Sequence, residues 1–149
     1  MKNSKSQICE TEVLTKNIVF VDGITRVGKT MLCNVLAYIR NVSSSQMIDP
    51  LEQLLPMYAT GHIDRNAVSA FLRIYLNKQF YNFKLSRDVN FRYDDLTSVH
   101  NSYRTKELFQ NLHKADGDAV IDELRNDADI FQFMTHDLMT HYSLFKDLN

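Results

Sequence analysis

The chain is poor in the residues that interrupt structure. Four glycines and two prolines stand in 149 residues. No low-complexity segment or internal repeat is present, which sets repeat architectures aside. Cysteine is nearly missing as well, with Cys9 and Cys33 the only two. One lies in the N-terminal tail and the other in the helix expected after a glycine loop. That pattern fits reduced thiols in a cytosolic protein, not a disulfide framework. No apolar run approaches the roughly 20 residues that a spanning helix needs. The polar N-terminus offers no hydrophobic signal region. Nor does charge of one sign dominate: 17 Lys and Arg face 18 Asp and Glu, for a net charge of −1. No bulk attraction to nucleic acid or to an anionic membrane is expected, and any anion site must be local. These absences set the expectation of a cytoplasmic protein with neither nucleic-acid nor membrane partner.

What is present is enough for one domain with a real core. Apolar residues make up 44% and charged residues 23%, ordinary values for a globular chain. Residues 1–16 read as a polar tail and 17–149 as the domain. The run Asn17 to Asp22 is apolar without alternation and rich in β-branched residues, as in a strand buried on both faces of a parallel sheet. Thr30 to Arg40 carries Met31, Leu32, Val35, Leu36 and Ile39 at helical spacing, with the Ser43-Ser44-Ser45 cluster beyond its end. A second helix is expected over Met47 to Tyr58, and a third from an Asp64 cap through Tyr81. From Lys84 to Tyr103 the periodicity fails, and a long loop is expected. Thr105 to Lys114 and Asp118 to Arg125 read as helices, Ile130 to Thr135 as a second strand, and Asp137 to Asp147 as a closing helix. Two strands are too few for an open sheet, which generally needs three or more. Either strands hide in the polar middle, or the chain is the N-terminal portion of a larger α/β domain.

The run Val19 to Thr30, VFVDGITRVGKT, carries the chemistry. Gly23-x-x-x-x-Gly28-Lys29-Thr30 satisfies the phosphate-loop pattern between an expected strand and an expected helix. The glycines allow the backbone to bend around an oxyanion. Successive N–H groups then point at the anion, and the helix start adds its own unpaired N–H groups and positive dipole end. Lys29 brings a mobile positive charge, and the Thr30 hydroxyl a donor or metal ligand. A nucleotide triphosphatase or kinase also needs an acidic residue at the end of a second buried strand to hold Mg²⁺. Asp137, in FQFMTHD, is the available residue, set one position deep in the loop after that strand. Asp22 reads as a turn or cap residue.

Thr135-His136 follows directly on the second expected strand. Ligands of open parallel sheets bind at the carboxyl ends of the strands. If the two strands are neighbours, His136 faces the crevice of the phosphate loop. A histidine there can serve as a general base. The other reading is a histidine that caps the following helix. His62, His100, His113 and His141 read as solvent-facing or packed.

Together the two pieces resemble the sulfotransferase family. That family has the P-loop fold and binds the sulfate donor PAPS (3′-phosphoadenosine 5′-phosphosulfate). Its loop reads P-[KR]-[ST]-G-[TS]-[TS], and Thr25-Arg26-Val27-Gly28-Lys29-Thr30 falls on it. Many members carry a strand ending in K-T-H, and Thr135-His136 falls on that. The resemblance covers about 16–40 and 128–149. It implies a P-loop three-layer fold around a parallel sheet, helix-rich and incomplete, with the remaining strands beyond residue 149. It implies that Gly23, Thr25, Arg26, Val27, Gly28, Lys29 and Thr30 hold the phosphosulfate. His136 would deprotonate an acceptor hydroxyl or amine, and Lys29 or Arg26 would neutralise charge on the bridging oxygen. No metal is implied. Lys29 departs from the family's small hydroxyl and makes the loop resemble that of ATP enzymes. An ATP·Mg²⁺ kinase or NTPase, or a degenerate nucleotide-binding domain without catalysis, therefore stands as the alternative. A homo-oligomer or a missing C-terminal half is the implied partner. The segment Arg87 to Arg104, with Asn90, Arg92, Asp94, Asp95 and Ser98, reads as acceptor recognition or as a solvated loop.

Overall fold

A computed structural model describes residues 12–145. Among them three strands form one parallel sheet: β1 (Ile18–Val21), β2 (Gln46–Met47) and β3 (Phe131–Met134), in the order β1-β3-β2. Ile18 lies opposite Phe131 and Val21 opposite Met134, while Met47 lies opposite Met134 from the other side. The mixed α/β class is as expected. The strand roles are not. Every residue of β3 is buried, so it is β3 that is covered on both faces. β1 is an edge strand, and its Val19 is 39% exposed.

The two-residue alternation of strands divides the sheet into two faces. Ile18, Phe20, Phe131 and Phe133 point into the large core, while Val21 and Met134 meet Cys33 and Leu36 on the other side. The large core is built by α2 (Asp49–Ala59), α3 (Arg65–Lys84), α4 (Thr105–Asn111) and α5 (Asp118–Asn126). α3 is its backbone. The Asp64 side chain accepts the Ala67 N–H at 2.9 Å and starts the helix. Val68, Leu72, Leu76, Phe80 and Phe83 then recur at helical spacing and are all buried. The Phe80 ring lies 4.7 Å from Phe131 and 6.0 Å from Phe133, which ties helix to sheet. At the last turn of α3, Lys84 is 4% exposed and meets Asp127, Asp129 and Glu123.

The second face carries α1 (Lys29–Leu36). Expected through Arg40, this helix stops early. Tyr38 and Ile39 donate to Val35 and Leu36, a tighter pattern that closes the last turn, and Asn41 adopts φ +66°. Its apolar stripe points outward: Met31, Leu32, Val35 and Ile39 are between 48% and 71% exposed. Cys33 and Leu36 make the contact with the sheet instead.

Other boundaries also move. Met47 belongs to β2, not to a helix, and the helix begins at Asp49 with Pro50 in its first turn. The closing α-helix is a 3₁₀ segment over Leu138–Leu144, kinked at His141. The remainder of that expected helix, to Asp147, lies outside the described residues, as do Cys9 and the tail to residue 11. Residues 12–16, read as the end of the polar tail, pack against the domain. Val13 and Thr15 are buried, and Leu14 donates its N–H to Asn77 Oδ1 at 2.8 Å on α3. No helix among the described residues is long and apolar enough to cross a membrane.

Candidate functional site

The segment Gly23–Thr30 leaves the carboxyl end of β1 and enters α1. Its path rests on three positive φ angles: +145° at Gly23, +67° at Arg26 and +87° at Gly28. Arg26 is the residue for which this matters most, since left-handed backbone costs a non-glycine residue about 1–3 kcal/mol. A β-carbon on Gly23 would meet Val27 Cγ2 at 3.5 Å, so the turn is compact there as well. Thr25, Arg26 and Val27 are exposed at the tip of the turn. The Arg26 guanidinium makes no ion pair among the described residues.

Lys29 is the exception to this exposure, being only 7% exposed. Its Nζ donates to the Gly23 carbonyl and, at 3.2 Å, to that of Ile24. The ammonium therefore lies across the loop and holds its two sides together. Thr30 Oγ1 lies 3.6 Å from Met134 Sδ, which sets the start of α1 against the end of β3. The seven candidate residues thus lie together at the end of the sheet, five on the turn and Lys29 and Thr30 at the start of α1. Lys29 and Thr30 face inward, and Thr25, Arg26 and Val27 face outward.

The parallel pairing of β1 with β3 brings the two sequence motifs together. Thr135 donates its hydroxyl hydrogen to Asp22 Oδ1 at 2.9 Å. Asp22 is the residue just before the loop, and Thr135 the residue just before His136. Asp22 also accepts the N–H of Leu138 at 3.0 Å and, through Oδ2, that of Met139 at 2.9 Å. It serves as the cap of the 3₁₀ segment from a different element, consistent with its expected capping role. Burial pushes its carboxyl pKa up, but the backbone bonds from Met139 and Leu138 and the Thr135 hydroxyl outweigh this, so the net direction is down from the usual 3.8.

A folded-state pKa below the unfolded value contributes stability above the unfolded pKa. That stability is lost as pH falls through the folded pKa. Asp22→Ala should therefore lower stability at neutral pH by about 1–2 kcal/mol, the size of a lost cap. The gap should narrow on acidification below the usual carboxylate range. Urea unfolding of both proteins along a pH series measures it. An unchanged gap in acid would mean that the charge of Asp22 contributes nothing.

His136 is placed differently from its expectation. Nδ1 is hydrogen-bonded to Glu52 Oε1, in the first turn of α2. The ring lines a cavity of 220 Å³ with Leu55, Pro56, Thr140 and His141, and no loop residue lines that cavity. His136 thus shares the sheet end with the loop but turns toward α2. Sequence reasoning missed Glu52, which sits 84 residues from its partner with no motif around it. Asp137, the remaining acidic residue near the strand end, is exposed and adopts φ +54°. Both oxygens of Asp22 already accept hydrogen bonds. Among the described residues no cluster of three or more His, Cys, Asp or Glu is arranged to hold a metal ion.

His62 pairs with the Thr60 hydroxyl at 2.7 Å, and the His141 ring stands edge-on to Tyr58. Neither reaches the loop. No family model matches the chain, and neither a curated protein nor a solved structure matches it.

Proposed function

We propose that the chain is a sulfotransferase-like transferase that binds PAPS through Gly23–Thr30 and serves an acceptor hydroxyl or amine. One observation carries this reading. β1 and β3 are parallel neighbours, with Val21 opposite Met134, so the loop and Thr135-His136 lie at the same carboxyl end of the sheet. That end is where α/β sheets bind ligands. The loop fits an anionic group. It offers bent backbone at Gly23, Arg26 and Gly28, an exposed guanidinium on Arg26 and an ammonium on Lys29.

Bound PAPS supplies an activated sulfuryl group on a good leaving group. The remaining roles belong to the chain. Lys29 releases the Gly23 and Ile24 carbonyls and turns its charge to the anion. Arg26 adds a second positive group from the outer side of the turn. Glu52 holds the Nδ1 side of His136, which leaves Nε2 as the nitrogen that takes a proton. The acceptor spans the sheet end, from His136 to the donor on the loop, which does not itself line the His136 cavity.

A second reading keeps the loop and changes the donor. Lys29 stands where sulfotransferases carry a small hydroxyl, and a lysine there suits the β- and γ-phosphates of ATP. Thermal unfolding with PAP (3′,5′-bisphosphoadenosine) in EDTA, and separately with ATP·Mg²⁺, separates the two. Stabilisation by PAP without metal is the expected result. Stabilisation by ATP·Mg²⁺ alone would replace sulfuryl with phosphoryl transfer, and stabilisation by neither would leave a loop without a nucleotide. Lys29→Ala should weaken PAP binding about 10- to 100-fold, the loss of charge-assisted hydrogen bonds worth about 1.5–3 kcal/mol. Calorimetric titration reads it.

A further inference from the structure

A second cleft lies beside β2, and it shares no lining residue with the phosphate loop or with the His136 cavity. It has a volume of 280 Å³, near the lower end of the roughly 300–1,000 Å³ range of small-ligand sites. Its apolar lining comes from Met47, Phe83, Val89, Val99 and Leu108. Its polar lining is mostly uncharged: the hydroxyls of Ser44, Ser45, Thr97 and Ser102, and the amides of Gln46, Gln79 and Asn90. Gln46 Oε1 has no hydrogen-bond partner within the protein. A smaller cavity of 150 Å³ shares the four hydroxyl residues and extends the cleft to Asn34 on α1 and Tyr38 just beyond its end.

Charge narrows the ligand class. Asp88 is the sole charged residue lining the larger cavity, and no Lys, Arg or His lines either one. The nearby arginines are engaged elsewhere. Arg87 pairs with Asp116 at 2.8 Å, Arg92 with Asp95 at 3.8 Å, and Arg104 with Glu107 at 3.6 Å. An anionic ligand would meet the exposed Asp88 carboxylate, bonded to Asn82 at 2.7 Å, with no cation in the lining to offset it, and like charge disfavours such a ligand. Ser44 and Ser102 bond each other at 2.7 Å and Asn90 donates to Asp95 and Thr97, but Ser45 Oγ and Gln46 Oε1 have no partner within the protein, and an apolar ligand would leave them so. A ligand with apolar C–H faces and several hydroxyl groups answers both constraints. The hydrophobic side chains take its faces, Ser45 Oγ and Gln46 Oε1 exchange hydrogen bonds with its edge, and the Asp88 oxygen not bonded to Asn82 accepts from its hydroxyls.

We propose that this cleft binds an uncharged, hydroxyl-bearing sugar ring, either as a free sugar or as the ribose of a nucleoside. The test is saturation-transfer NMR on the full chain with methyl β-glucopyranoside and with uridine. Glucose 6-phosphate and UMP serve as the charged counterparts. At least one uncharged probe should bind saturably, about ten-fold or more tighter than its phosphorylated form. Which probe binds decides between free sugar and nucleoside.

Thr97 is exposed and lines both cavities. Thr97→Trp therefore fills the cleft without entering the core. It should reduce binding about ten-fold or more, a loss of about 1.4 kcal/mol, with the circular dichroism spectrum unchanged. Lys29→Ala should leave sugar binding intact, so that this site and the phosphate loop stand or fall separately. The proposal is overturned if neither uncharged probe binds saturably, if the phosphorylated probes bind as tightly, or if Thr97→Trp binds like the wild type.

Discussion

Lys84→Met should destabilise the protein by about 3–5 kcal/mol, the penalty for removing one partner of a buried ion cluster. Lys84 closes α3 at 4% exposure, and its ammonium is ringed by the carboxylates of Asp127, Asp129 and Glu123, with Asp129 at 2.7 Å and Glu123 at 3.4 Å. Arg104 reaches Asp129 at 3.8 Å and Glu107 at 3.6 Å from the same nitrogen, and Lys114 meets only Glu123, at 3.0 Å. Neither can neutralise the carboxylates alone. Methionine matches the stem of lysine, so packing is preserved and the loss isolates the charge.

The pH dependence is specific. Burial alone would lower the Lys84 pKa, but the hydrogen bonds and charges of Asp127 and Asp129 outweigh it, so the net direction is up from 10.5. A raised folded value means a contribution fully present below the unfolded pKa and lost as pH rises through the folded one. Burial likewise raises Asp127, and Lys84 reverses this, leaving it below the usual 3.8. Its contribution is present above the unfolded value and lost as acid carries the pH through the folded one. The gap between wild type and Lys84→Met should therefore be widest at neutral pH and shrink toward both extremes. Urea unfolding with a common m value reads it. A gap under 1 kcal/mol at neutral pH, or one that does not change with pH, would falsify the assignment of the cluster as a stabilising unit.

The parts of this architecture that could be read from the sequence are those whose signals are local. The Gly23–Thr30 turn and the strand and helix on either side of it are specified by contiguous residues. So is α3, where Asp64 and a stripe from Val68 to Phe83 agree with each other. β2 was illegible because it is two residues long and lies in a run of Ser, Gln and Met. It forms because the second edge of β3 needs a partner. Ser43 donates its N–H to the Ile130 carbonyl at 2.8 Å, and Gln132 donates from Nε2 to the Ser43 carbonyl at 2.7 Å. Ser43, the first of the serines beyond the expected helix end, is thus bonded to the edge of β3. The 3₁₀ segment after β3 has a similar origin. Its first N–H groups are taken by Asp22 from across the sheet, a constraint that no local propensity carries. The outward stripe of α1 shows the opposite failure. Its spacing is helical, but spacing says which residues share a face, not whether anything covers that face.

His136→Gln should lower turnover of the acceptor about 10²- to 10⁴-fold, the usual contribution of a positioned general base, while nucleotide affinity stays within a few-fold of the wild type. The split follows from geometry. The loop that would hold the donor runs from Gly23 to Thr30, and none of its residues lines the cavity around His136, whose Nδ1 is bonded to Glu52 and which shares that cavity with Leu55 and Thr140. A large loss of nucleotide binding in His136→Gln would therefore contradict the role given to it. On the proposed mechanism Glu52, bonded to His136, acts through it and not on the acceptor, as a positioning residue. Glu52→Gln alone should reduce kcat with little change in KM, and by less than His136→Gln does. The double variant should be no slower than His136→Gln, because a group that acts only by orienting the imidazole has nothing left to orient. Additive losses in the double variant would give Glu52 an independent function. An unchanged kcat in both single variants would reduce the pair to a contact that fastens α2 to the end of β3, and the base would have to be sought elsewhere along the sheet's carboxyl edge.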